Sequence, residues 1–186
     1  FFKKFGRYLI IEKPSFLSNL QFLFEYQIGY MYWRYLMWNF TGRQNDVPGT
    51  YTPLNGNWIS GIPFIDSIRL GNQDELNSDA LNNKARNTYF FFPFILGCIG
   101  LFYLYRSDPK RFWVLLLFFL FTGLALKIYL NERPFEPRER DYALVGSFYV
   151  FSIWIGIGAL SLINNLKAYK GSRFLVHFVT IIFVCV

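Results

Sequence analysis

Two short turns hold the residues best equipped for chemistry in this chain. The first is PFEPRERDYA, residues 134–143. Seven of the twelve residues in 131–142 are charged: Arg133, Arg138 and Arg140 against Glu132, Glu136, Glu139 and Asp141. An arginine offers a planar fork of donors that stays charged and matches phosphate or carboxylate oxygens with parallel hydrogen bonds. Neighbouring carboxylates can hold such forks in place or exchange protons with a substrate hydroxyl. Pro134 and Pro137 stiffen the turn, Pro137 disfavours helix at Glu136, and Asp141 stands where it can cap the helix that follows. The residues alone leave two readings open, a salt-bridged cap with an interfacial anchor or a site for an anionic ligand. The second turn is RQND, residues 43–46. Arg43, Gln44, Asn45 and Asp46 supply a cation, two amides and a carboxylate, a set able to hydrogen-bond a sugar or a diphosphate. The same residues can form a solvated helix stop, since Gly42 and Asn45 are ordinary stop signals.

The elements around these turns read as membrane helices. The 186 residues are 53% hydrophobic and 22% aromatic, with only 17% charged, and the apolar residues concentrate after Thr88. Such a composition predicts an all-α, polytopic transmembrane fold. Three runs reach spanning length, at 89–105, 112–130 and 143–163, and a fourth begins at 174–186. The second carries only Lys127, close enough to its end to snorkel to the interface. The connectors 106–111 and 167–173 are positive and are expected in the cytoplasm. Alternation then puts 131–142 and the whole of 1–88 on the extracytoplasmic face. The net charge of +7 follows from cations flanking spans and meeting anionic lipid, so no nucleic-acid partner is expected.

Residues 1–88 form a separate unit: an interfacial aromatic helix over 20–40 and a long polar loop. Tyr30, Arg34 and Trp38 fall on one stripe of that helix, which lets Arg34 lie against aromatic faces. The loop, 41–87, is rich in turn signals. Trp58, Ile59, Ile62, Phe64 and Ile65 are expected to pack its middle down. Asn39-Phe40-Thr41 matches a glycosylation acceptor pattern. Cys98, Cys185 and His177 lie in apolar runs and read as packed helix residues. No cofactor is implied, with a divalent cation left open, and there is no phosphate loop, dinucleotide fingerprint or serine-hydrolase elbow. The sequence starts at FFKKFG and stops at VTIIFVCV. It is expected to be an internal piece of a longer protein.

Several stretches together resemble a known family. YMYWRYLMWNFTGRQND (30–46), GNWISGI (56–62), RLGNQ (69–73) and PFEPRERDYALVGSFYVFSIWIGIG (134–158) are similar to the DUF2723 family of multi-span proteins common in Bacteroidetes. That family resembles the protein O-mannosyltransferases and other polytopic glycosyltransferases of the GT-C type. The resemblance implies an enzyme of the bacterial inner membrane that uses a polyprenyl-phosphate-linked sugar donor and a protein or glycan acceptor on the extracytoplasmic face. It implies that Arg138 and Arg140 meet the lipid phosphate, with Arg34, Arg43, Gln44, Asn45 and Asp46 supporting the same cavity. Glu139 or Asp141 would orient the arginines or act as base. GT-C enzymes generally place a key acidic residue in an earlier extracytoplasmic loop, so the catalytic acid or base is expected outside this sequence. A non-catalytic membrane subunit of an envelope complex and a transporter of lipid-linked saccharides are the competing classes.

Overall fold

The computed structural model describes residues 13–49, 51–73, 75–132 and 141–168. The chain is mostly helical. The described residues begin with one unbroken helical run, capped by Ser15, whose Oγ accepts from the Ser18 backbone N–H at 3.2 Å. The run comprises α1 (Phe16–Gln21), a π-helical segment π1 (Phe22–Trp33) and α2 (Arg34–Phe40). In π1 the i→i+5 bonding widens each turn. Phe22, Tyr26 and Tyr30, four residues apart, stack along it with ring centroids 5.1 and 5.8 Å apart. The expected stripe is present: the Arg34 guanidinium lies 4.4 Å from the Tyr30 ring centroid, and its Nε donates to the Tyr30 carbonyl.

Past Thr41 the chain enters a two-stranded antiparallel ribbon, β1 (Gly42–Arg43) and β2 (Asn87–Thr88), with Gly42 opposite Thr88 and Arg43 opposite Asn87. Trp58 bridges to Arg43 as well. Gly42 has φ +149°, and a Cβ there would stand 2.5 Å from the Ile59 carbonyl oxygen and 2.6 Å from that of Asn87, so only glycine passes this crossing. Between the strands lie α3 (Pro63–Leu70) and α4 (Ser78–Leu81). Asp66, 3% exposed, closes the loop onto itself: Oδ1 accepts from the Ser60 N–H and hydroxyl, and Oδ2 from the Gly61 N–H. Ile59 is buried as expected, whereas Ile62 and Phe64 are exposed, because the loop is closed by polar clasps rather than by an apolar centre.

The remaining elements are apolar. They are α5 (Phe92–Ser107), then a continuous run of α6 (Pro109–Leu120), π2 (Phe121–Ala125) and α7 (Leu126–Leu130), and finally α8 (Asp141–Ala168). Residues 109–130 and 142–165 are each long and apolar enough to cross a bilayer. Only 11% and 33% of their most apolar stretches are buried within the chain, the reverse of a soluble protein's core helix. Their outward side chains, among them Trp113, Phe121, Val145 and Leu160, need another apolar surrounding.

The helix at the first expected span is shorter, at 16 residues. Phe90 and Phe91 take left-handed φ values of +51° and +60°, so the chain turns there and enters α5 with Pro93 in its first turn. The expected 106–111 connector contracts to one residue. Asp108 ends α5 and caps α6, its Oδ1 accepting from the Arg111 N–H.

α5 packs chiefly on α8 through glycine. A Cβ at Gly100 would stand 1.8 Å from the Trp154 carbonyl oxygen, and one at Gly158 2.1 Å from that of Leu96, so the two backbones touch. Around this contact the core gathers Leu36, Phe112, Leu144, Val150, Phe151 and Trp154.

Lys127 departs from expectation. Instead of snorkelling it is 3% exposed and ion-paired with Glu132, which the chain brings back over the end of α7. The expected fourth span at 174–186, with His177 and Cys185, lies outside the described residues.

Candidate functional site

The site forms where α2 and β1 meet the start of α8. Tyr35, Trp38 and Asn39 occupy one stripe of α2 at i, i+3, i+4. Val145, Phe148, Tyr149 and Ser152 occupy one stripe of α8 at i, i+3, i+4, i+7. The two stripes and Arg43 line a cleft of about 370 Å³. Its floor is aromatic: Tyr35 stacks on Trp38 with centroids 5.4 Å apart and meets Phe148 at the same distance. Phe40, Phe148 and Phe151 lock α2 to α8 beneath it. Farther back along the same helical run, the Tyr32 and Ser147 hydroxyls share a buried hydrogen bond, and Gln27 Nε2 donates to Asn131 Oδ1 at 2.7 Å. The aromatic helix is thereby fixed to both long apolar helices.

Arg43 is the charged member of the cleft. The ribbon sets its backbone, with its N–H donating to Asn87 Oδ1 at 3.1 Å. Its guanidinium lies 4.1 Å from the Trp38 ring centroid, and the Trp38 indole is in turn fixed by donating to the Asn45 carbonyl. The Arg43 Nε is buried without an acceptor, and no described residue forms an ion pair with it. A buried donor left unmet costs about 1–3 kcal/mol, and such a group calls for a partner. The cation–π contact with Trp38 offsets part of that cost. The arrangement suits a ligand with an anionic group against Arg43 and an apolar body along Phe148 and Val145.

The other expected site residues surround Arg43 but are engaged within the loop. Arg34 donates to the Gly56 carbonyl. Gln44 donates to the Pro53 carbonyl and accepts from the Asn57 backbone and side chain. Asn45 accepts from the Gly56 N–H and donates to Asn55 Oδ1. Asp46 is exposed and accepts from Asn83 Nδ2 at 3.1 Å. The structure therefore brings Arg34, Arg43, Gln44, Asn45 and Asp46 into one neighbourhood, with Arg43 alone among them lining the cleft.

Asp141 begins α8, within one residue of the cap position expected. Arg138, Glu139 and Arg140 lie outside the described residues, as does the side chain of Asp141. In Asn39-Phe40-Thr41 the half-buried Asn39 amide donates to the Tyr35 carbonyl and Thr41 is fully buried. Sequence reasoning did not find the α8 stripe. Its 145/148/149/152 spacing was readable, but nothing in it marks which face meets Arg43.

On the far side of the loop, the Arg69 guanidinium stacks 3.4 Å from the Trp58 ring centroid. Burial pulls its pKa below the usual arginine range, opposed by the nearby Asp66 carboxylate.

Comparison with protein-family models, with curated proteins and with solved structures returns no match, so the functional reading rests on this geometry and on the motifs above.

Proposed function

We propose that this chain is part of a GT-C-type glycosyltransferase that takes a sugar from a polyprenyl-phosphate-linked donor. The acceptor is a protein hydroxyl or a glycan on the extracytoplasmic face of a bacterial inner membrane, with three or more spans holding the protein there. One observation carries the proposal: Arg43, over the Trp38 ring with a buried and unmet Nε, closes a cleft whose other walls are Tyr35, Trp38 and Asn39 of α2 and Val145, Phe148, Tyr149 and Ser152 of the apolar α8. A lipid phosphate is the ligand that needs both halves at once, an anion for the arginine and hydrocarbon for the helix stripe. The placement agrees, since the cleft lies along the first three turns of α8, at the end where Asp141 starts it. Arg138 and Arg140 precede that helix in sequence and are assigned, in this proposal, to the same phosphate.

In the transfer step the acceptor hydroxyl oxygen bonds to the sugar's anomeric carbon as the sugar–phosphate bond breaks, and negative charge grows on the departing phosphate. Cations already in position stabilise that charge without reorganising. Arg43 would hold one edge of the phosphate and Arg138 or Arg140 another, with Glu139 or Asp141 orienting them. The group that removes the acceptor proton is expected elsewhere in the full-length protein.

The test uses full-length protein in lipid vesicles with radiolabelled sugar on polyprenyl phosphate. Arg43→Gln is expected to reduce transfer at least tenfold, and Arg43→Lys to rescue it only in part, because an ammonium lacks the planar fork. Absence of transfer by the parent protein, or full activity in Arg43→Gln, would overturn the proposal. Movement of the lipid-linked sugar across the vesicle without transfer would assign the protein to transport instead.

A further inference from the structure

The outer loop contains a second cleft, about 420 Å³ in volume, on which the transferase reading makes no demand. Phe64 and Asp66 of α3, Asn72 and Gln73 of the following turn, and Arg86 and Thr88 at β2 contribute its walls. Arg86 is its distinctive member. Nη2 donates to Gln73 Oε1 at 3.2 Å, while Nη1 is buried without an acceptor, and no described residue forms an ion pair with Arg86.

Charge narrows the class of ligand. Asp66 contributes a carboxylate to the same cleft, fixed by its three bonds from Ser60 and Gly61. An anion would gain from Arg86 and lose to Asp66, whose charge the nearby Arg69 partly offsets, and a cation the reverse. What remains is a demand for an acceptor at Nη1 beside amides and hydroxyls that can both give and take hydrogen bonds. A neutral, hydroxyl-rich ligand meets that demand. At the rim Phe64 is 75% exposed, offering a flat apolar surface to the C–H face of a sugar ring. The volume falls in the ordinary range of small-molecule pockets.

We infer that this cleft is a binding site for a neutral saccharide, separate from the Arg43 cleft. The inference holds whether or not the chain catalyses transfer, since a glycan-binding membrane subunit would carry the same site.

The experiment is saturation-transfer NMR on the full chain in lipid nanodiscs. The probes are the methyl glycosides of mannose, glucose and N-acetylglucosamine, the corresponding disaccharides, and inorganic phosphate. At least one glycoside is expected to bind. Its affinity should fall about tenfold in Phe64→Ala and in Arg86→Met. Phe64 is exposed, so its variant keeps the fold and the test decisive even where Arg86→Met unfolds the loop. Binding of no glycoside, binding unchanged in Phe64→Ala, or binding of phosphate in preference to every glycoside would each overturn the assignment.

Discussion

Replacing Lys127 with methionine should unfold far more of this protein than replacing Lys127 and Glu132 together. The two side chains are 3% and 4% exposed and paired with each other. Removing each ion from water costs several kcal/mol even after relaxation. Their mutual attraction at an effective dielectric near 20 returns about 4 kcal/mol. Two desolvation costs against one attraction leave the intact pair neutral at best, and its main effect is that each charge keeps a partner. Lys127→Met takes one cation from a buried carboxylate, and Glu132→Leu takes the carboxylate from a buried ammonium; each is expected to cost about 3 kcal/mol. If the two effects were independent, the double variant would lose about 6 kcal/mol. The coupled pair predicts a double variant no more than about 1 kcal/mol less stable than the parent, because two apolar side chains then meet where two charges stood. Tryptophan fluorescence during titration of the solubilised protein with a denaturing detergent measures all four corners of the cycle. A loss of 3 kcal/mol corresponds to about a 150-fold fall in the folded-to-unfolded ratio, well within reach of that assay. A double variant as unstable as the sum of the singles would refute the reasoning.

Two further outcomes follow from the packing. Gly100→Ala should cost at least about 1–3 kcal/mol, since its methyl would stand 1.8 Å from the Trp154 carbonyl oxygen. Gly156→Ala should instead stabilise α8 by about 0.5–1 kcal/mol, with nothing within 4 Å of the new methyl; thermal unfolding of the two variants checks the contrast. Asp66→Ala should raise hydrogen exchange at the Ser60 and Gly61 amides by about tenfold or more, because both lose their acceptor. Asp66→Asn should accelerate Gly61 more than Ser60, one carboxylate oxygen becoming a donor.

The helical class and the two long apolar helices were legible because hydrocarbon imposes a length and a composition that are local properties of the chain. The Tyr30–Arg34 stack was legible for a similar reason, four residues being one helical step. Lys127 was misread because its partner lies beyond the helix end, and a charge in an apolar run reads the same whether it escapes to water or finds a counter-ion. The exposure of Phe64 was misread because the loop is held by Asp66, Gln44 and Asn57, whose bonds reach five to thirteen residues along irregular backbone. Arg43 was singled out as a candidate, but its distinguishing feature, a donor buried beside aromatic rings from α2 and α8, exists only after elements a hundred residues apart have met.

The bare backbone contact of Gly100 and Gly158 also sets what this protein can move. With no side chains between them to roll or slide, α5 and α8 act mechanically as a single beam. The ribbon is anchored to that beam where the Tyr89 N–H donates to the Thr41 carbonyl, a few residues before α5. Two sides of the Arg43 cleft are thereby clamped to one rigid part. The aromatic helix is tied to the same part, by Phe40 against Phe148 and Phe151 and by the Tyr32–Ser147 bond, so a ligand must fit the cleft at the width these contacts set.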